Sequence, residues 1–290
     1  MSYAFLAALL KYPVPSNRRN KDIHCKKKFN FFQSEADIVE DVWKKTGLAE
    51  GIRHPLTVIM EACDDIAYSV IDIEDAVKKR LISVYDVIAW LKHEGREDNN
   101  IRGLCEKADR RDTEYRDKER KVPLSFDEVC DISMQMFRVD AIATMVVATR
   151  QAFVANIDSI LSGEFDGELL MASEASTLAK TLKRFAKTHV YKHRTILEIE
   201  LEGHRTIHAL MDLLWEAIAN RSKPDDLDSE RKDPFANYVF SRISENYRRA
   251  ANLSKMPMRY RELQLMTDMI SGMTDTYAVS LLKDLERFRG

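Results

Sequence analysis

Residues 55–79 read Pro55-Leu-Thr-Val-Ile-Met-Glu61-Ala-Cys-Asp64-Asp65-Ile-Ala-Tyr68-Ser-Val-Ile-Asp72-Ile-Glu-Asp75-Ala-Val-Lys-Lys79. Proline suits the first turn of a helix, where its missing N–H is not needed, and nothing after it breaks a helix until Lys79. On a wheel of about 100° per residue with Asp64 at zero, Tyr68 falls at roughly 40°, Glu61 at roughly 60° and Asp72 at roughly 80°. Met60, Ala67 and Ile71 lie just to the other side, and Cys63, Val70 and Ile59 continue that apolar face. The acidic stripe therefore borders the expected buried stripe instead of opposing it. Carboxylates at such a border are partly desolvated and repel one another, and a cation relieves both penalties. An aromatic ring between them can stack on a base or sugar, and a carboxylate two turns on can accept a hydrogen bond from a sugar hydroxyl. The same pattern also describes the wet face of an ordinary amphipathic helix.

The neighbouring sequence repeats the helical theme. A short helix is expected over Tyr3 to Leu10, ended by Lys11-Tyr12-Pro13, because proline pushes the preceding residue out of the helical region. Ser16 to Asn30 reads as a polar, basic loop. Ser34, with Asp37 at the capping-box position, opens a helix that ends near Gly47, and Ser83 with Asp86 opens another that stops at Gly95. Residues 96–121 are densely charged and read as a solvated helix or linker. Ser125 with Glu128 opens a long helix from Phe126 to about Leu161. Periodicity resumes at Glu174 to Lys187 and Thr195 to Asn220, and two last helices are expected over Pro234 to Leu253 and Met258 to Phe288. No repeat and no strand pattern is found, so the fold expected is all-α. The expected division is 1–95, a charged linker over 96–122, and a helical region over 123–290.

The composition agrees. Nine glycines and seven prolines in 290 residues are few, and 45 basic residues offset 47 acidic ones. The net charge of −2 supplies no global field toward nucleic acid, so any polyanion site must be a local patch. Cys25, Cys63, Cys105 and Cys130 form no Cys-x-x-Cys pair, which suits reduced thiols. The apolar run Ala4 to Leu10 lacks a basic leader, and no apolar stretch is read as membrane-spanning. A soluble, cytoplasmic protein is the expectation.

Several segments, in order, carry a resemblance: Lys11-Tyr12-Pro13; Phe32-Gln33-Ser34-Glu35; Arg53-His54-Pro55-Leu56-Thr57; Glu61-Ala62-Cys63-Asp64-Asp65-Ile66-Ala67-Tyr68-Ser69; Asp72-Ile73-Glu74-Asp75. With Glu200-Leu-Glu-Gly-His-Arg205 and Ile270-Ser-Gly-Met-Thr-Asp275-Thr-Tyr-Ala278, the chain resembles the C-terminal portion of the HD-domain deoxyguanosine triphosphate triphosphohydrolases. The resemblance implies a partial HD-domain-like helical core with a C-terminal helical extension. It implies hydrolysis of a dNTP, with dGTP favoured, to the deoxynucleoside and inorganic triphosphate at a divalent metal such as magnesium or manganese. Asp64 matches a metal-ligating aspartate of the family. Tyr68 and Asp72 match contacts to the deoxyribose region, and Lys11 and Tyr12 match a pair that contacts the substrate. Glu61 and Asp65 are weaker candidates, as are Glu200 and Glu202, one of which corresponds to a further nucleotide contact.

The family's other metal ligands, a His and a His-Asp pair, lie upstream of the lysine-tyrosine-proline motif, and no His-Asp dipeptide occurs in this sequence. One carboxylate holds a transition metal poorly. The chain by itself is therefore expected to lack the family's activity. The opening Met1-Ser-Tyr-Ala-Phe-Leu-Ala-Ala-Leu-Leu10 reads as the middle of a core helix, so a homo-oligomer or a missing N-terminal segment is the expected partner.

Alternatives stay open: a non-catalytic helical subunit of a dNTPase oligomer, or a nucleic-acid-binding module. For the latter, Arg18, Arg19, Lys21 and Lys26-Lys27-Lys28 beside Phe29, Phe31 and Phe32 can engage a triphosphate or single-stranded nucleic acid, or form a solvated loop beside an aromatic cluster. His204 with His208, and His189 with His193, have a spacing that can bind zinc, but with no third ligand signalled both pairs read as surface or packing residues. The methionines of the C-terminal helices read as adaptable core.

Overall fold

His54 and Pro55 set the helix on which the rest is arranged. The His54 Nδ1 accepts from the Leu56 N–H at 3.1 Å, Pro55 takes the first position, and α3 then runs without interruption over Pro55–Lys78. A computed structural model describes residues 1–119 and 124–289 of the chain, with side chains of 115–119 left out of the description. Among the described residues there are thirteen α-helices and no strand, apart from one isolated bridge between Arg221 and Arg231. The all-α fold follows.

The chain divides into two compact units, Met1–His193 and Arg194–Gly290. In the first unit α1 (Tyr3–Leu9), α2 (Ala36–Thr46) and α3 are followed by α4 (Val84–Glu94), α5 (Asn99–Glu119), α6 (Phe126–Ala155), α7 (Ile157–Leu161) and α8 (Ser176–Phe185). Ser2 caps α1 by accepting from the Phe5 N–H, and Gly47 closes α2 at φ 70°, a left-handed turn that suits glycine. Ser83 with Asp86, and Ser125 with Glu128, form the two capping boxes read from the sequence. The Ser34–Asp37 box does not form. A single 3₁₀ turn over Gln33–Glu35 precedes α2, and Glu35 instead accepts from the Phe32 N–H at 2.8 Å.

The core of this unit joins α3, α4, α5, α6 and α8 through Val70, Ile73, Val87, Leu91, Met134, Phe137, Met145, Leu178 and Leu182. α3 and α6 run antiparallel: Arg80 pairs with Asp131, Arg138 with Glu74, and Val58 shares a cluster with Ala152. The buried side of α3 is Val58, Ala62, Ile66, Val70, Ile73 and Val77, which displaces the expected apolar face. Ile59, Met60, Cys63 and Ile71 are exposed instead. The wheel put apolar residues beside Asp64 into the core, but packing against α6 selects the stripe one step further round.

The charged stretch 96–122 is no boundary between the compact units. Ile101, Leu104 and Cys105 are buried, so α5 packs against α4 and α6 as part of the first unit, its charges on the wet side. Residues 120–122 of that stretch lie outside the described residues. The helix α6 is long and apolar enough to cross a membrane by length and composition, contrary to the sequence reading. Its apolar residues Met134, Phe137, Ala141 and Met145 form the core of the unit, and Arg138 and Asp140 pair with Glu74 and Arg111.

In the second unit α9 (Arg194–Ala219) is surrounded by α10 (Pro234–Ser241), α11 (Glu245–Leu253), α12 (Met258–Ser271) and α13 (Asp275–Phe288). Ser244 and Thr274 each cap a new helix, so the two expected last helices are four. Leu210, Leu214, Ile218, Val239, Leu265, Met266, Met269, Leu281 and Leu285 form its core. Buried Arg231 donates to the carbonyls of Ala217 and Leu227, each at 2.8 Å, and burial together with Arg221 pushes its pKa down to about 10.

Ile73 is fully enclosed among these helices. Ile73→Ala is expected to cost about 2–5 kcal/mol by lost burial and residual cavity. The urea midpoint measures it, and a loss below about 1 kcal/mol would show that α3 is not packed as described.

Candidate functional site

The site begins with a buried charge. Glu61, on the first half of α3, is 2% exposed. One oxygen accepts from Arg53 Nη1 at 2.7 Å, and the other meets Lys11 Nζ and His24 Nε2, each at 3.1 Å. Arg53 is itself 5% exposed and sends Nη2 to the carbonyls of Phe165 and Gly167, each at 3.0 Å. Both buried charges thus have partners, which is the condition under which burial is tolerated. Glu61 is not part of a wet acidic stripe. The cations that relieve it are the protein's own.

Around this pair the loop between α1 and α2 folds back onto residues 165–168. Asp166 accepts from the backbone N–H groups of His24 (3.0 Å) and Cys25 (2.9 Å). Partial burial raises the Asp166 pKa, but these donors and Arg53 outweigh it and hold the carboxyl below its usual range. Lys27 Nζ lies 3.3 Å from Glu168 and 3.2 Å from His24 Nδ1. Tyr12 is buried at the centre, with Lys11 Nζ 5.8 Å from its ring centroid and Lys27 Nζ and Lys28 Nζ each at 6.0 Å. Burial disfavours the charge of Lys11, yet Glu61 more than compensates and raises its pKa. Lys28 has no carboxylate partner among the described residues.

His24, Glu61 and Glu168 each offer a ligand atom within 4.8 Å of the others. Lys11, Arg53 and Lys27 already occupy the carboxylates, and with Lys28 these cations outnumber Glu61, Glu168 and Asp166. The local field disfavours a further cation and favours an anion with several oxygens.

Along α3 the remaining sequence candidates separate. Asp64 is exposed and belongs to no group of three ligand atoms among the described residues. Asp65 accepts from Lys183 Nζ at 2.7 Å, which commits it to α8. Tyr68 is 62% exposed. Asp72 is half-buried and accepts from Tyr191 Oη. Burial and then the neighbouring Asp72 push the Tyr191 pKa up to about 12, so it remains a donor at neutral pH. Tyr191 follows a π-helical turn over Ala186–Val190, a local widening that delivers it to α3. Glu200 and Glu202 are exposed on α9, in the other compact unit. Glu202 lines an open groove of about 490 Å³ there, with Glu198, Arg205, Leu282 and Lys283.

Sequence reading missed His24, Asp166, Glu168, Lys183 and Tyr191 as members of this site. Four of them lie more than a hundred residues from their partners on α3 or the basic loop, and no local pattern marks them.

The chain is 29% identical over 291 residues to the deoxyguanosinetriphosphate triphosphohydrolase-like proteins of Listeria monocytogenes serovar 1/2a and Listeria innocua serovar 6a, covering 98% of this chain and 60% of each relative. It is 32% identical over 307 residues to the deoxyguanosinetriphosphate triphosphohydrolase of Salmonella arizonae, covering 96% of this chain and 58% of that relative. The chain thus spans about three fifths of the length of these relatives. No family model matches it.

Two outcomes are expected. Glu61→Gln leaves Arg53 buried without its counter-charge and should cost about 3–5 kcal/mol in urea unfolding; an unchanged midpoint would remove Glu61 as the organising charge. Asp166 has a depressed folded pKa, so its contribution is present above the unfolded value of about 3.9 and is lost as pH falls through the folded value. Asp166→Ala should cost about 1 kcal/mol at neutral pH, kept small because water screens an exposed carboxylate, and the difference from the unaltered chain should close below about pH 4. A pH-independent difference would contradict the assignment.

Proposed function

We propose that the chain belongs to the deoxynucleoside triphosphate triphosphohydrolase family and carries the nucleotide-binding half of its site, with dGTP the favoured substrate. The observation that carries this reading is the arrangement of Lys11, Lys27 and Lys28 about the Tyr12 ring, with Lys11 held by the Glu61–Arg53 pair and Lys27 by Glu168. The similarity to the Salmonella enzyme over nearly the whole chain supports it.

Each residue then has a task. The three ammonium groups neutralise the triphosphate, whose successive oxygens match compact cations spaced around one ring. Tyr68, projecting from α3, offers an aromatic face to the sugar or base. Asp72 accepts from a sugar hydroxyl, with Tyr191 holding its carboxylate in place. The family reaction, dNTP plus water to deoxynucleoside plus triphosphate, breaks the bond between sugar oxygen and phosphorus without redox change.

The divalent metal implied by the family supplies charge neutralisation and an activated water when bound. The residues described do not fit it. Asp64 is a single exposed carboxylate, whereas three or four convergent ligands are usual, and the one cluster of three ligand atoms among the described residues is already filled by the protein's own cations. In this reading the chain by itself binds the nucleotide and does not hydrolyse it.

A second reading, a non-catalytic helical subunit that works in an oligomer, is favoured by one observation. Phe5 and Leu9 of α1 and Leu56, Ile59, Met60 and Ile71 of α3 are exposed, and apolar side chains exposed on two helices in contact are what an association face offers.

The deciding experiment uses the pure chain with manganese and dGTP. Bound nucleotide is followed by calorimetry and released triphosphate by chromatography. Micromolar binding weakened at least about tenfold by Lys11→Ala (about 1.4 kcal/mol), with no triphosphate released, is the expected result. Release at enzymatic rates would overturn the claim of an incomplete metal site. Absence of binding would favour the non-catalytic subunit.

A further inference from the structure

In the second unit the buried residues of α9 begin at Thr206 and continue through Leu210, Leu213, Leu214 and Ala217. His204 and His208 lie about half a turn round from that stripe, and both are exposed. Their rings stand face to face, with centroids 4.2 Å apart and planes 33° from parallel. Among the described residues neither ring has a hydrogen bond or an ion pair, and the ring contact of each is with the other. Both rings are exposed, which favours the surface reading of this pair over a role in core packing.

We infer that His204 and His208 form a bidentate site for a borderline transition-metal ion, with zinc, nickel and copper(II) as the class. Imidazole nitrogen suits these ions, whereas magnesium and calcium require oxygen ligands. Both side chains are exposed, so each ring can turn out of the stack until one nitrogen of each faces a common ion at the zinc–nitrogen distance of about 2.0–2.1 Å. The i, i+4 spacing within a formed helix means that no loop must be ordered on binding, and only the two exposed side chains have to reorient. Glu200 and Asp212 continue the exposed stripe one turn beyond each histidine, adding negative charge that favours a cation. The remaining coordination positions stay open to water, as in an exchangeable site and unlike a closed structural one. This inference is independent of the nucleotide reading: it concerns the other compact unit, and a softer class of metal than the hydrolytic reaction takes.

The test is zinc titration of the full chain, free of any affinity tag, by calorimetry in millimolar magnesium. One equivalent of zinc is expected to bind without competition from magnesium. His204→Ala and His208→Ala are each expected to weaken it at least tenfold and the double variant to abolish it. Both side chains are exposed, so helical circular dichroism should not change. Trace copper(II) should selectively broaden two of the seven histidine ring signals, and these should be the two missing from the double variant. Zinc bound as tightly by the double variant, competition by magnesium, or broadening centred on His24 would each overturn the assignment.

Discussion

Everything at the proposed site rests on one buried carboxylate. Glu61 sits where α3 enters the interior, and Arg53, two residues before that helix begins, meets it in a nearly dry setting. An arginine fork suits this position, because one arm satisfies the carboxylate while another satisfies the carbonyls of Phe165 and Gly167. The second carboxylate oxygen then draws in Lys11 and His24 from the basic loop and the segment before it. Three separate stretches of chain are thereby fixed to a single charge. The arrangement is costly to desolvate and costlier to break, which favours one geometry over alternatives.

The sign of the site follows from that constraint. Carboxylates along α3 invite the reading of a cation site, yet their fates diverge within four residues. Glu61 is neutralised by the protein, Asp65 is drawn to Lys183, and only Asp64 stays uncommitted at the surface. Meanwhile the three lysines gathered about Tyr12, together with Arg53, outnumber Glu61, Glu168 and Asp166. The same helix therefore supports the proposed anion cradle at one end, through Glu61, and carries a solvent-facing aspartate further along. Tyr68 and Asp72 continue the surface from there, in the order in which a nucleotide extends from phosphate to sugar.

How far this could be read from sequence depends on the range of the interaction. Helix α3, the Ser83–Asp86 and Ser125–Glu128 caps and the left-handed Gly47 are local, and the residues that specify them are neighbours. The face that α3 buries is not local. Ile59 and Val70 are equally apolar, and only the antiparallel partner α6 decides that Val70 is enclosed and Ile59 is not. Within the charged stretch before residue 120 the helix was legible but its buried side was not, since Ile101, Leu104 and Cys105 are too few among charges to announce a packed face. Lys11, Tyr12, Tyr68 and Asp72 are candidates through a family resemblance, whereas Asp166, Glu168 and Tyr191 carry no local signal and meet their partners from far along the chain.

The most direct test of the central claim is a structure of the chain with a non-hydrolysable dGTP analogue. The triphosphate is expected over Tyr12, between Lys11 and the Lys27–Lys28 pair, with the deoxyribose against Tyr68 and Asp72. A nucleotide bound in the α9–α13 groove, or a cation in place of phosphate beside Glu61, would contradict it.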